Sequence, residues 1–225
     1  MESKLIVAID GPAGSGKSTV SKEVAKKLGL IYVDTGAMYR ALTLKAVRNK
    51  IDLNDPKALI DLAKKTDIRL VAGGDSRLCV KLDGEDVSGE IRTPFVTNNV
   101  KYIAGIKGVR EEMVNLQRKA AMGKGAVLEG RDIGTIVFPD ADIKIYLDAS
   151  IDERVKRRYK ELIAKDPGIT IAEVKQDVAA RDKSDENRSV GPLKKADDAI
   201  LIDTTKMTIE EVAESILQRI RAIKR

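Results

Sequence analysis

Leu5-Ile-Val-Ala-Ile9-Asp10-Gly11-Pro-Ala-Gly14-Ser-Gly16-Lys17-Ser18-Thr19 is the stretch that decides the fold. Leu5–Ile9 is a continuous apolar run, as expected of a strand buried on both faces. After Lys17 the period changes: Val20, Val24 and Leu28 recur every fourth residue, and Gly29 supplies a stop, so a helix follows. Between the two, Gly11 to Ser18 fits G-x-x-x-x-G-K-[ST]. Glycines let the backbone curl until successive N–H groups point at phosphate oxygens, an approach that side chains would block. The helix that follows aims the positive end of its dipole at the same anion. A dinucleotide fingerprint would need its third glycine at Thr19, and a lysine stands at position 17, so that reading fails. Gly11, Pro12, Ala13, Gly14, Ser15, Gly16, Lys17, Ser18 and Thr19 are expected to cradle the phosphates of a nucleoside triphosphate. Lys17 reaches the β- and γ-phosphates, and the Ser18 hydroxyl is the expected protein ligand of Mg²⁺.

Outward from this loop the strand–helix rhythm continues. Leu30–Val33 reads as a second short strand, Asp34-Thr35-Gly36 as a turn, and Met38, Leu42 and Ala46 as the next helix. Further apolar runs lie at Ala126–Leu128, Ile143–Leu147 and Ala199–Ile202. Ser150…Glu153, Thr170…Glu173 and Thr208…Glu211 carry the capping-box spacing that opens helices. Alternation of this kind predicts an α/β fold built on a parallel, twisted sheet, the phosphate-loop NTPase class. From about Asp67 to Arg92 the period falls to two: Ile68 and Leu70 flank Arg69, and Leu78, Val80 and Leu82 alternate with Cys79 and Lys81. Turns are expected at Gly73-Gly74-Asp75 and Asp83-Gly84, giving a small antiparallel meander inserted in the α/β core. The expected division is a core of 1–66 and 109–225, with a lid at about 152–166, and an inserted subdomain at 67–108.

Composition narrows the chemistry. In 225 residues, 41 Lys and Arg against 35 Asp and Glu leave a formal charge of +6, with 43% apolar residues, a globular profile. No apolar run approaches the ~20 residues of a membrane span, and the N-terminus has no cleavage-site pattern of a signal peptide. The single Cys79 can make no intramolecular disulfide, and the absence of histidine excludes a Ser-His-Asp triad and argues against a zinc site. A reducing, cytoplasmic location is expected. Aromatic residues are only 3%, too few for base-stacking platforms, so no nucleic-acid partner is expected.

Phosphoryl transfer needs positive groups around the moving phosphoryl and an anchor for the acceptor more than it needs a strong base. Arginine suits both, because its planar fork binds phosphate bidentately and stays charged. Arg40 follows the second strand, and Arg131-Asp132 follows the third. Arg181, Asp185 and Arg188 fall in what reads as a polar loop, and Arg154, Arg157 and Arg158 share one helix face. This pattern calls for two anionic ligands, a triphosphate and a phosphorylated acceptor. Three rival classes share the phosphate loop. A GTPase switch would need an Asn-Lys-x-Asp guanine reader, which is missing; Asp86-Val-Ser-Gly89 matches only the short D-x-x-G pattern. A motor-type ATPase would use Asp148 to end a Walker B strand, and a small-molecule kinase could take a sugar acid or shikimate as acceptor.

Asp34-Thr-Gly-Ala-Met-Tyr-Arg40, Asp86-Val-Ser-Gly-Glu-Ile-Arg92, Val109-Arg-Glu-Glu112, Glu129-Gly-Arg-Asp-Ile-Gly134, Phe138-Pro-Asp140 and Ile202-Asp-Thr-Thr205, together with the phosphate loop, resemble the bacterial cytidylate kinase family. The resemblance covers essentially the whole chain. It implies ATP-dependent phosphorylation of CMP or dCMP by a monomer. It also implies that Arg40, Arg131 and Arg188 hold the acceptor's phosphate and that Arg181 and Asp185 reach the ribose. Thr35, Lys101, Arg110 and Asp132 complete the CMP site, with Arg110 and Asp132 at the base. Arg154, Arg157 and Arg158 would act with Lys17 and Arg131 in catalysis as lid arginines. A carboxylate at Asp132 accepts from the N4 amino group of cytosine and repels O4 of uracil. Lys101 stands where the family pattern has a serine, and a lysine can donate to cytosine O2.

Overall fold

The computed structural model describes residues 5–72, 78–123, 125–164 and 166–223. The chain forms two compact units, one of Met1–Ile31 with Gly125–Arg225 and one of Tyr32–Lys124. The segment 67–108, expected as an insertion, lies within the second.

The first unit is built on β1 (Ile6–Asp10), β6 (Ala126–Gly130), β7 (Ile143–Asp148) and β8 (Ile200–Asp203). With β2 (Ile31–Asp34) they order as β2-β6-β1-β7-β8, and β1 pairs in parallel with both β6 and β7. Val7, Ala8, Ile9, Val127 and Leu128 have no solvent exposure, as expected of a strand covered on both faces. α1 (Lys17–Leu28) provides part of that cover, lying against β6 and β1, and α8 (Ile209–Ile223) packs against α1. α1 buries Val20, Val24 and Ala25, and α8 buries Val212, Ala213, Ile216, Leu217 and Ile220. α6 (Ile151–Ile163) and α7 (Ile171–Glu186) share a small cluster of Val155, Val174 and Val178.

The caps refine the expectations. Thr170 and Thr208 make both halves of the box, the second through Thr208 N to Glu211 Oε2 at 2.8 Å and Glu211 N to Thr208 Oγ1 at 3.2 Å. Ser150 makes one half only. Its amide donates instead to Thr205 Oγ1 at 2.9 Å, because Glu153 turns to pair with Arg157. Arg181 and Asp185 do not lie in a loop: α7 runs through both, and Asn187 caps it, leaving only Arg188 beyond the helix. The polar run there contains no glycine or proline, so nothing breaks the helix, and its last turns are simply solvated on one side.

The second unit centres on α2 (Thr35–Arg48), whose Ala37, Met38, Ala41, Leu42 and Ala46 are fully buried. No turn separates it from β2. Asp34 ends the strand and caps the helix, its Oδ1 accepting from Ala37 N at 2.7 Å. α3 (Pro56–Lys64), α4 (Pro94–Ala104) and α5 (Lys107–Ala121) complete the helical part. The meander is β3 (Ile68–Ala72), β4 (Leu78–Leu82) and β5 (Glu85–Asp86), antiparallel as expected. Asp83 and Gly84 turn its second hairpin with φ of 49° and 92°, the left-handed pair of a type I′ turn. The other turn, Gly73-Gly74-Asp75, lies outside the described residues.

Candidate active site

The loop between β1 and α1 is forced by its glycines. At Gly11 a Cβ would stand 2.0 Å from the carbonyl oxygen of Leu147, and at Gly14 it would stand 3.0 Å from the Arg154 backbone, both residues at positive φ. Lys17, 5% exposed, folds back into this loop and donates to Pro12 O at 2.6 Å. Burial, with the nearby Arg131 guanidinium, pushes its ammonium down to about 7, against the pull of Glu129, Asp185 and Asp10. Negative charge brought beside this ammonium would restore its basicity.

Ser18 donates from Oγ to Glu129 Oε2 at 2.8 Å. Glu129 is buried at the end of β6, and sequence reasoning did not single it out. The partners lie 111 residues apart, and only the parallel pairing of β1 with β6 brings them together. The pair suits Mg²⁺, which takes oxygen donors and keeps much of its water. Among the described residues no group of three or more His, Cys, Asp or Glu is placed to hold a metal ion. The Ser18 hydroxyl and the Glu129 carboxylate are the two oxygen donors that this bond brings together beside the loop.

Next to the loop sits an arginine cluster. Arg131 Nε donates to Asp185 Oδ2 at 2.7 Å, and Arg188 Nη2 lies 3.6 Å from Asp185 Oδ1. One carboxylate thus orders two guanidinium forks. Burial works against ionised Asp185, yet Arg131 and Arg188 hold its carboxyl below the usual range. Arg181 has the opposite environment. Burial, then the positive charges of Arg131 and Arg158, push its guanidinium down. Such like-charge crowding is relieved by an anion.

Asp132 follows Arg131 at the mouth of a π-turn, Ile133–Val137, and is 6% exposed. Asp10 accepts from the amides of Ile133 at 2.9 Å and Gly134 at 2.8 Å. Burial raises the Asp10 carboxyl to about 6 in spite of these bonds.

The α6 arginines are not alike. Arg154 is 8% exposed and makes three bonds: Nε donates to Ala149 O at 3.1 Å, and Nη1 to Ala13 O at 3.2 Å and Asp182 Oδ2 at 2.6 Å. Arg157 grips Thr204, through Nη1 to Oγ1 at 3.0 Å and Nη2 to the carbonyl at 2.7 Å, while Thr204 Oγ1 lies 3.1 Å from Ser15 O. Both hold the outside of the phosphate loop. Arg158 pairs with Glu161 at 2.8 Å.

In the second unit, Arg40 lies 3.3 Å from Asp34 Oδ2, and Arg92 lies 3.8 Å from the same oxygen. Thr35 is buried at the start of α2. Arg110 is 3% exposed, stacks 5.6 Å from the Tyr39 ring centroid and donates to Ala104 O at 3.1 Å. Lys101 is on α4, exposed, with its ammonium 5.2 Å from the Tyr102 ring centroid.

A phosphate loop after β1 of a parallel α/β sheet, with a lysine inside it and arginines beside it, defines a phosphate-loop kinase. Comparison with known proteins gives the family. Residues 7–222 match the family described as cytidylate kinase, and the chain belongs to it. A cytidylate kinase of Desulforamulus reducens is 54% identical over 94% of this chain and 94% of its own, and one of Bacillus licheniformis is 50% identical over 97% and 96%. A crystal structure of an uncharacterized protein from Eubacterium ventriosum, 15% identical, superposes with a TM-score of 0.54 over 97% of this chain and 99% of that one, a likeness of fold alone.

Proposed function

We propose that this protein transfers the γ-phosphoryl group of ATP to CMP or dCMP, yielding ADP and CDP or dCDP. The observation that carries the reading is the adjacency of two anion sites in the first unit. Lys17, inside the phosphate loop, lies close enough to Arg131 for one charge to depress the other, and Arg131 is already oriented by Asp185.

The nucleophile is a phosphate oxygen of the acceptor. Its second ionisation falls near pH ~6, so it arrives deprotonated and needs no strong base. A chain without histidine can therefore run this reaction. The work left for the protein is placement and charge. Loop amides and Lys17 hold the donor's β- and γ-phosphates. Ser18 and Glu129 hold Mg²⁺, which when bound offsets negative charge on the transferring group. Arg131 and Arg188 hold the acceptor's phosphate, Asp185 and Arg181 meet the ribose, and Asp132 reads the cytosine amino group. The family pattern adds Thr35, Arg40, Lys101 and Arg110, which the second unit carries, and makes 67–108 a monophosphate-binding insert. Arg158 is the α6 arginine with the freest guanidinium and serves the phosphates directly, while Arg154 and Arg157 act through the loop. The enzyme works as a cytoplasmic monomer in pyrimidine nucleotide metabolism, with no nucleic-acid or membrane partner. Among the described residues no helix is long and apolar enough to cross a membrane.

Steady-state rates with ATP and CMP, dCMP, UMP, AMP or GMP test the reading directly. CMP and dCMP should be the best acceptors; no acceleration of ATP turnover by any pyrimidine monophosphate would refute it. Asp132→Ala should cost CMP more than UMP, by about 1–3 kcal/mol in kcat/KM, the value of one mispaired buried polar group. Equal losses on the two acceptors would remove Asp132 from base reading.

A further inference from the structure

Asp132 occupies the N-cap position of the π-turn Ile133–Val137, where an aspartate ordinarily turns its carboxylate onto the first free amides of its own helix. Here it makes no such bond. The two amides that it would serve, Ile133 and Gly134, donate instead to Asp10 Oδ1 and Oδ2, from a strand more than 120 residues earlier in the chain. Asp10 therefore caps the turn in place of Asp132, and the Asp132 carboxylate is not spent on capping. Asp10 is 5% exposed and immediately precedes Gly11, so its own backbone is fixed by β1.

We propose that Asp10 is a positioning residue for the acceptor: by holding the first two amides of the π-turn, it fixes the direction of Arg131 and Asp132 and so sets the selection of a cytosine over a uracil monophosphate. This rests on the reading of Arg131 and Asp132 as acceptor-binding residues. A carboxylate is needed because it offers an acceptor to each of two parallel amides. An amide side chain offers one oxygen and presents an NH₂ to the second N–H, so the turn loses one bond and gains a repulsion.

The test is a double-mutant cycle of Asp10→Asn and Asp132→Ala, with KM and kcat measured separately for CMP, UMP and ATP. Asp10→Asn should raise KM for CMP about tenfold, the scale expected when a reacting group is misplaced by a fraction of an ångström. KM for ATP should rise clearly less than KM for CMP, through the small loss of Asp10's charge beside Lys17; the CMP preference should shrink, and the same change should add nothing to that preference in the Asp132→Ala background. An unchanged KM for CMP, an equal rise in KM for ATP, or the same loss of preference in both backgrounds would overturn the proposal. If Asp132→Ala leaves the CMP preference intact, the base-reading assignment fails; Asp10 then stands or falls on KM for CMP alone, through Arg131. Asp10→Glu keeps both acceptor oxygens but moves them outward by one methylene, so the two amides can no longer be met in the same place. It should shift KM for CMP in the same direction, and it serves if Asp10→Asn does not fold.

Discussion

At the scale of single residues, Lys17 and Asp10 show burial working on opposite charges. Water is removed from both, so the ammonium loses its proton more readily and the carboxyl less readily. The consequence for Asp10 has a definite sign. Its carboxyl rises from 3.8 to about 6 on folding, chiefly by burial, with Asp132 adding to the rise and Lys17 opposing it. Between those two values the folded chain binds more protons than the unfolded one, so this group's contribution to stability is present below pH ~4 and is lost as the pH rises toward 6. Two pH units correspond to about 3 kcal/mol as an upper limit. Urea unfolding of the parent and of Asp10→Asn across pH 4–6 should give a stability difference that declines by about 2–3 kcal/mol toward the upper end. A difference that is flat with pH would show that Asp10 is ionised throughout.

At the scale of elements, α6 supports the phosphate loop from outside. Arg154 connects it to the Ala13 carbonyl and to Asp182 on α7, and Arg157 connects it to Thr204 beside the Ser15 carbonyl. Arg154→Lys keeps the charge but replaces a three-way planar fork with a single point, so the buried Asp182 pair and the loop contact cannot both survive. Breaking a buried pair is strongly destabilising, ~3–5 kcal/mol, and the retained charge places Arg154→Lys at or below the bottom of that range. A drop in thermal midpoint together with a raised KM for ATP is the expected result, and a fall in kcat with stability and KM unchanged would instead make Arg154 a direct participant. The same elements show what could be read in the sequence. The strands β1, β6, β7 and β8, the helices α1 and α2 and the hairpin at Asp83-Gly84 each announce themselves by period or turn chemistry, because their signals are local. The π-turn after Asp132 has no such period and depends on a carboxylate from β1. Glu129 went unread for the same reason, since its partner Ser18 is distant in the chain. Arg181 and Asp185 were legible as residues but not as part of a helix, because α7 ends in a polar run that resembles a loop.

At the scale of the whole molecule, the missing histidine makes the pH dependence unusually clean. No imidazole titrates between pH 6 and 8, so an ionisation near 7 in the free enzyme has few sources, and Lys17 is the one inside the donor site. The profile of kcat/KM for ATP reports the free enzyme, and that of kcat reports the complex. With its ammonium depressed to about 7, Lys17 loses its proton as the pH rises past that value, and the loop then offers ATP one charge less. The kcat/KM for ATP should therefore fall above pH ~7. Bound phosphates supply the negative charge that keeps Lys17 protonated, so kcat should stay level through the same range. Formation of the ATP complex near pH 8 should take up protons, which calorimetry in buffers of different ionisation enthalpy detects directly. Lys17→Arg keeps a charge that does not titrate here and should abolish both the fall and the uptake, whatever it does to the absolute rate. If the fall above pH 7 persists in that variant, the ionisation belongs to another group, and the loop lysine holds its proton without help from the nucleotide.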